Sequence, residues 1–207
     1  MGWKELFSFA KNEAKQVNAE ELAVQSGFVE EVIKVIKSAA NTDIQPFYYK
    51  DLHSEGAAKA IGLSFNTKEE TAEGQLYKLK TELKPLGALA FITERKNKTA
   101  SVAIVMGNDQ FDIIKIQQTN GENYDISNIE VIVKLKEWHN RYSFTIIGAN
   151  HDWVEADFIE LPNSKDLKSF AKEIYQFCPD IVDQGTGSLE GLIEELEESK
   201  KLFLWWD

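Results

Sequence analysis

The chain closes on Leu202-Phe203-Leu204-Trp205-Trp206-Asp207, and this apolar ending constrains the fold more than any other stretch. Termini usually fray and carry small polar residues. Two tryptophans directly before the terminal carboxylate are kept from water only if the run is tied down, most simply as a strand inside a sheet. The fold is therefore expected to need the chain to its last residue. On a strand the two rings point to opposite faces. One belongs to a core. The other is covered by N-terminal helices or serves as a partner anchor, since tryptophan is enriched among the residues that dominate interfaces.

Working back from that end, hydrophobic period separates helices from strands. Trp3, Leu6, Phe7, Ala10, Ala14 and Val17 fall at three- and four-residue steps, and Val29, Val32, Ile33 and Ile36 repeat the pattern, so residues 1–40 read as helices. Asn18 with Glu21 marks a helix start between the two stripes. Pro46 limits the Phe47-Tyr48-Tyr49 run to an edge strand or a loop. Thr67 and Glu70 have capping-box spacing ahead of a helix that Pro85 stops near Lys84. Ala88–Thr93 and Ser101–Met106 form a hairpin across a polar loop. The spacing over Phe111–Gln118 favours a helix. Ser127 and Glu130 form a second capping box, before a stripe of Val131, Leu135, Trp138 and Tyr142. Phe144–Gly148 and Trp153–Ile159 read as strands. Ser164 caps a helix that presents Leu167, Phe170, Ala171, Ile174 and Cys178 on one face and that Pro179 closes. Ser188 opens a last helix with Leu189, Leu192, Ile193 and Leu196 inward and Glu190, Glu194, Glu195, Glu197 and Glu198 outward.

Strands and helices do not alternate regularly, so the fold class is α+β: an antiparallel or mixed sheet of about five strands, with helices mainly on one face. Residues 1–50 form an N-terminal helical region packed on an α+β domain of residues 51–207. Periodicity breaks within 41–67.

Composition narrows the partners. Across 207 residues, 34 acids against 23 Lys and Arg give a net charge of -11 and a pI near 4.9. Nucleic-acid binders need a basic patch, so no nucleic-acid partner is expected; a basic protein partner is compatible with the charge. The chain has one cysteine, which excludes an intramolecular disulfide. It shows no apolar leader and no membrane-spanning run. The expected setting is the cytoplasm. Nothing fixes the oligomeric state.

An ordered string of motifs runs through the C-terminal half: Asn120-Gly121-Glu122-Asn123-Tyr124, Leu135-Lys136-Glu137-Trp138, Ile147-Gly148-Ala149, Phe177-Cys178-Pro179-Asp180-Ile181-Val182, Gly185-Thr186-Gly187-Ser188-Leu189-Glu190 and Trp205-Trp206-Asp207. Over about residues 87–207 this string resembles the bacterial family called domain of unknown function 4253. The resemblance implies a bacterial, cytoplasmic protein and carries over no catalytic residue.

The candidate chemistry is sparse. Cys178 with His139 or His151 suggests a thiol nucleophile and base, but Cys178 lies on an apolar helix face, where free cysteine packs as a small hydrophobe. Asp180 and Asp183 would raise its pKa. His53, His139 and His151 lack metal-ligand spacing. His151, Asp152, Glu155 and Asp157 offer an oxygen-rich set, yet Trp153, Glu155 and Asp157 alternate with Val154, Ala156 and Phe158 as on any half-exposed strand. Glu94-Arg95-Lys96 superficially matches the acid-x-Lys element of some nucleases and reads as a solvated turn. Gly185-Thr186-Gly187-Ser188 precedes a helix and could hold an anion; a tight turn with Ser188 as N-cap is the plainer reading. No catalytic residue, cofactor or metal site is assigned.

The loop 119–124 is the best candidate for something beyond folding, because its polar side chains are not demanded by periodicity. Its plain alternative is a structural turn with Asn-Gly supplying a positive φ. The binding residues read from the sequence are Asp112, Asn120, Asn123, Tyr124, Asp180, Asp183 and Gln184. The leading function is a non-enzymatic protein-binding domain, immunity-like in type. The alternative is a small-molecule enzyme with its site between loop 119–124 and segment 178–187.

Overall fold

The computed structural model describes residues 27–40, 42–49 and 59–207. The stripe from Trp3 to Val17, the Asn18–Glu21 start signal, His53 and the boundary at residue 50 lie outside the described residues.

The described elements run in the order α1 (Glu30–Ala39), β1 (Gln45–Tyr49), β2 (Lys59–Lys68), α2 (Glu69–Leu83), β3 (Ala88–Lys96), β4 (Thr99–Met106), α3 (Phe111–Gln117), α4 (Asn128–Arg141), β5 (Phe144–Ala149), β6 (Trp153–Phe158), α5 (Ser164–Phe177), α6 (Leu189–Ser199) and β7 (Lys201–Trp205). A π-helical turn, Ile181–Thr186, joins α5 to α6. The fold is α+β. Among the described residues the sheet has seven strands, in the order β1-β2-β4-β3-β5-β6-β7, rather than about five. Every neighbour pair is antiparallel except β3 with β5. The strand missing from the sequence reading is β2. Its Leu63, Phe65 and Thr67 are buried in alternation with Ser64 and Asn66, but Gly62 and the cap-like Thr67–Glu70 spacing obscured the period. Thr67 is a residue of the strand instead, and its hydroxyl donates to the Gln75 carboxamide. Lys68 holds the N-cap position of α2 without a side-chain cap.

Among the described residues, helices cover both faces of the sheet, two on one and four on the other, rather than mainly one face. α1 and α2 pack Val32, Ile36, Ala72, Leu76, Leu79 and Leu83 over Leu63, Phe65, Ile92, Val102 and Ile104. The other four helices pack Phe111, Leu135, Trp138, Phe170 and Leu196 against Phe91, Ala103, Val105, Ala156 and Leu204. The central strands β3 and β4 are thus buried on both sides, which is why Ala88–Ile92 and Val102–Met106 are unbroken apolar runs. Asn97 and Lys98, at φ 52° and 64°, make the tight two-residue turn between them, the conformation whose twist suits a hairpin.

The sequence placed most of the remaining signals within a residue. Ser127 and Glu130 bond each other's backbone as a complete capping box. Ser188 Oγ accepts the Gly191 N–H at 3.0 Å. β1 is an edge strand containing Pro46. The cap of α5 is Asn163, one residue before Ser164; its side chain accepts the Asp166 N–H.

One junction is weak. β3 and β5 share a single paired register, Ile92 with Gly148. A Cβ at Gly148 would sit 2.9 Å from the Trp153 ring and 3.0 Å from the Ile92 carbonyl oxygen, so only glycine allows the approach. Two carboxamides bridge the seam. Asn150 Nδ2 donates to Thr93 O at 2.9 Å. On the other side Gln110 Nε2 donates to Phe144 O at 3.2 Å and its Oε1 accepts the Ile146 N–H at 2.8 Å, supplying to β5 the bonds a neighbouring strand would make.

Candidate functional site

The structure brings part of the sequence-predicted set together. The Tyr124 hydroxyl donates to Asp180 Oδ1 at 2.5 Å, Gln184 Nε2 donates to the same oxygen at 2.8 Å, and the Asp207 N–H donates to Oδ2 at 2.9 Å. Asp180 is buried and both oxygens of its carboxylate accept hydrogen bonds. Burial raises the Asp180 pKa, but these three donors outweigh it and hold the group below the usual carboxylate range. The same contact pushes the Tyr124 phenol up to about 12. Asp183 sits apart and accepts the Tyr175 hydroxyl at 2.8 Å. Asn120 serves its own loop: Oδ1 accepts the Glu122 N–H at 3.0 Å, and Nδ2 donates to Gln118 O and approaches His151 Nδ1. Asn123 is exposed, and Asp112 lies in the first turn of α3, outside the cluster.

Gly121 is needed for a different reason than positive φ. Its φ is -120°, and a Cβ there would meet the Trp206 indole at 2.7 Å. The left-handed positions of the loop are Gln118 and Asp125. Loop 119–124 and segment 178–187 thus clasp the C-terminus. Trp206 is 3% exposed, donates from Nε1 to Phe177 O at 3.3 Å and packs edge-on against the Phe177 ring.

Cys178 is buried, and the nucleophile reading loses its geometry. Its thiol donates to Trp205 O at 3.0 Å. Burial, with a smaller push from Asp180, raises it to about 11. His139 Nδ1 accepts the Phe144 N–H at 3.2 Å, between the rings of Phe111 and Phe144.

The Glu94-Arg95-Lys96 run is strand, not turn, and Arg95 faces a charged cluster on the α2 side of the sheet. Its guanidinium meets Glu69 at 2.5 Å, Glu155 at 2.8 Å and Glu73 at 3.3 Å. Lys201 joins from β7, at 2.9 Å from Asp157, 3.1 Å from Glu73 and 3.2 Å from Glu155. Glu155 is buried, so its strand is less exposed on this face than the alternation implied. Partners 60 residues apart (Arg95 and Glu155) leave no local sequence signal.

Beside this cluster a groove of about 500 Å³ wraps the outer edge of β7, lined by Ile181, Leu192, Glu195, Leu196, Phe203 and Trp205. The outward backbone of Trp205 is taken by Cys178 Sγ, and the Lys201 N–H by Ser199 Oγ. Between them Phe203 points its N–H and C=O the same way by the two-residue alternation of the ladder. A second cleft, of about 540 Å³, opens where β3 and β5 part. It is lined by Lys80, Lys84, Ala88–Ala90, Asn108–Phe111, His139, Phe144 and Thr145. The sequence reading missed Lys80 and Gln110; Lys80 stands one turn from Leu76 on the flank of the buried face of α2, the only local hint of its burial.

Among the described residues no three His, Cys, Asp or Glu side chains group as metal ligands, and no helix is long and apolar enough to cross a membrane. The fold is an α+β sheet protein with an open apolar edge and a polar seam cleft. A model of the family described as a domain of unknown function (DUF4253) matches residues 101–207, and the chain belongs to that family. No curated protein and no solved structure matches the chain.

Proposed function

We propose that this is a non-enzymatic protein-binding domain that takes an extended basic and apolar segment of a partner along the open edge of β7. The observation that carries the reading is the Phe203 position. Its backbone N–H and C=O are directed outward at a sheet edge, its ring is 42% exposed, and an apolar groove runs beside it. An added strand gains main-chain hydrogen bonds from such an edge and specificity from the flanking pockets. The outer face of α6 adds direction. Glu190, Glu194, Glu195, Glu197 and Glu198 are all exposed or rim the groove, and none is in an ion pair among the described residues. They would attract a basic segment, an effect that salt weakens.

The small-molecule alternative between loop 119–124 and segment 178–187 is less well supported, because Tyr124, Gln184 and the chain end already engage both oxygens of Asp180. A bacterial cytoplasm is the setting that fits the reading, and neutralisation of a basic toxin is one form the binding would take.

The test uses Phe203→Pro. Proline removes the outward N–H and leaves the bonds to β6, as edge strands tolerate. A partner captured from the native host at low salt should be lost with this variant. Its association should slow when Glu194, Glu195, Glu197 and Glu198 become Gln. A partner that binds both variants as it binds the parent chain refutes the reading.

A further inference from the structure

We propose that the cleft between β3 and β5 is a binding site for a small organic or inorganic oxyanion, carboxylate or phosphate, received by the Lys80 ammonium with Lys84 at the mouth. The cleft exists because the strands meet at one register pair and then part. Gln110 fills the role of the absent strand partner on the β5 side, so the opening is satisfied and not a packing gap. Its volume, about 540 Å³, lies in the range of small-ligand sites.

Its polar lining is unbalanced. Lys80 is half-buried, and burial alone pushes its amine down to about 8; no carboxylate acts on it. An ammonium partly withdrawn from water gains from a partner of opposite charge. Lys84 likewise forms no ion pair among the described residues. The one acid in the cleft, Asp109, is committed elsewhere, 3.2 Å from Lys136 Nζ and accepting the Phe111 N–H at 3.0 Å. His139 accepts at Nδ1 from Phe144, which puts the proton of the neutral ring on Nε2 as a donor. Two cations and a donor thus line a cleft whose one acid is already held by Lys136, in a protein of net charge -11. A partner for Lys80 and Lys84 is what a carboxylate or phosphate supplies, and the apolar walls of Ala88, Leu89 and Phe144 suit a small carbon body attached to it.

The experiment titrates the full chain with inorganic phosphate and, separately, succinate, by calorimetry and by amide chemical shifts. Saturable binding of at least one probe is expected, with shifts centred on Lys80, Gln110 and Thr145. Phosphate alone assigns the phosphoryl class, and succinate alone the carboxylate class. Lys80→Met keeps the length of the side chain and removes the charge; it should weaken binding roughly 10- to 100-fold, the worth of one charged hydrogen bond, without lowering the Tm of the free protein. If neither probe saturates, if the shifts centre elsewhere, or if Lys80→Met binds as tightly, the proposal is overturned. Should Lys80→Met fail to fold, the shift map of the parent chain decides alone.

Discussion

Tyr124 and Asp180, 56 residues apart, are joined by a 2.5 Å hydrogen bond, and the other oxygen of the same carboxylate holds the backbone N–H of Asp207. One side chain therefore fastens a loop and the chain end together. Because Asp180 holds the Tyr124 phenol in its protonated form, that phenol should ionise near 12 rather than at its ordinary value. A folded pKa raised above the unfolded one means the stabilisation is complete below about pH 10 and is lost as pH rises through 12. The lowered Asp180 pKa works the other way: its contribution is present above the ordinary carboxylate range and is lost as pH falls through the folded value. Tyrosinate absorbance of the parent chain minus Tyr124→Phe checks the first part. A missing phenol that titrates near its ordinary value shows that the bond does not persist in solution.

Deleting residues 203–207 should unfold the protein or lower its Tm by many degrees. The deletion removes Leu204 and Trp206, both buried, and truncating one buried tryptophan alone costs about 3–5 kcal/mol out of a total of about 5–15. A truncated chain that melts within a degree or two of the parent contradicts this.

Cys178 should be inert in the native state. Its thiol is buried and raised to about 11, chiefly by burial, so little thiolate exists near neutral pH and reagents cannot reach it. Labelling is expected only at the rate of unfolding, and rapid labelling of the folded chain would contradict the packing.

Glu155→Gln should destabilise the fold by about 2 kcal/mol, because Arg95 and Lys201 lose a shared, nearly buried counter-charge. Partial solvent access of the two cations keeps the figure below that of a fully buried pair. Chemical denaturation of the two chains measures the difference, and a loss well under 1 kcal/mol would mean the cluster acts as a solvated surface pair.

What the sequence disclosed follows a physical division. Caps, turns and edge signals such as Ser127–Glu130, Ser188 and Pro46 are local chemistry and were legible. So was the tying-down of Trp206, since an apolar terminus has few alternatives. β2 was obscured because Thr67 carried two local meanings, and the sheet, where its hydroxyl meets Gln75, chose between them. Within the candidate binding set, Tyr124, Asp180 and Gln184 converge while Asp112 and Asn123 do not, since loop composition says nothing of distance. The seam cleft was out of reach: its walls are strands separated in sequence by α3 and α4, and Lys80 comes from a third element.

The position of β4 ties the matched stretch to strands outside it. The family match begins at residue 101, inside β4, which lies between β2 and β3 in the sheet. A polypeptide cut there would carry β4 bare on both sides and only the β5-β6-β7 part of the sheet intact. The matched stretch and the folding unit are thus different spans of this chain, and β4 is held in place only with β2 and β3 on either side of it.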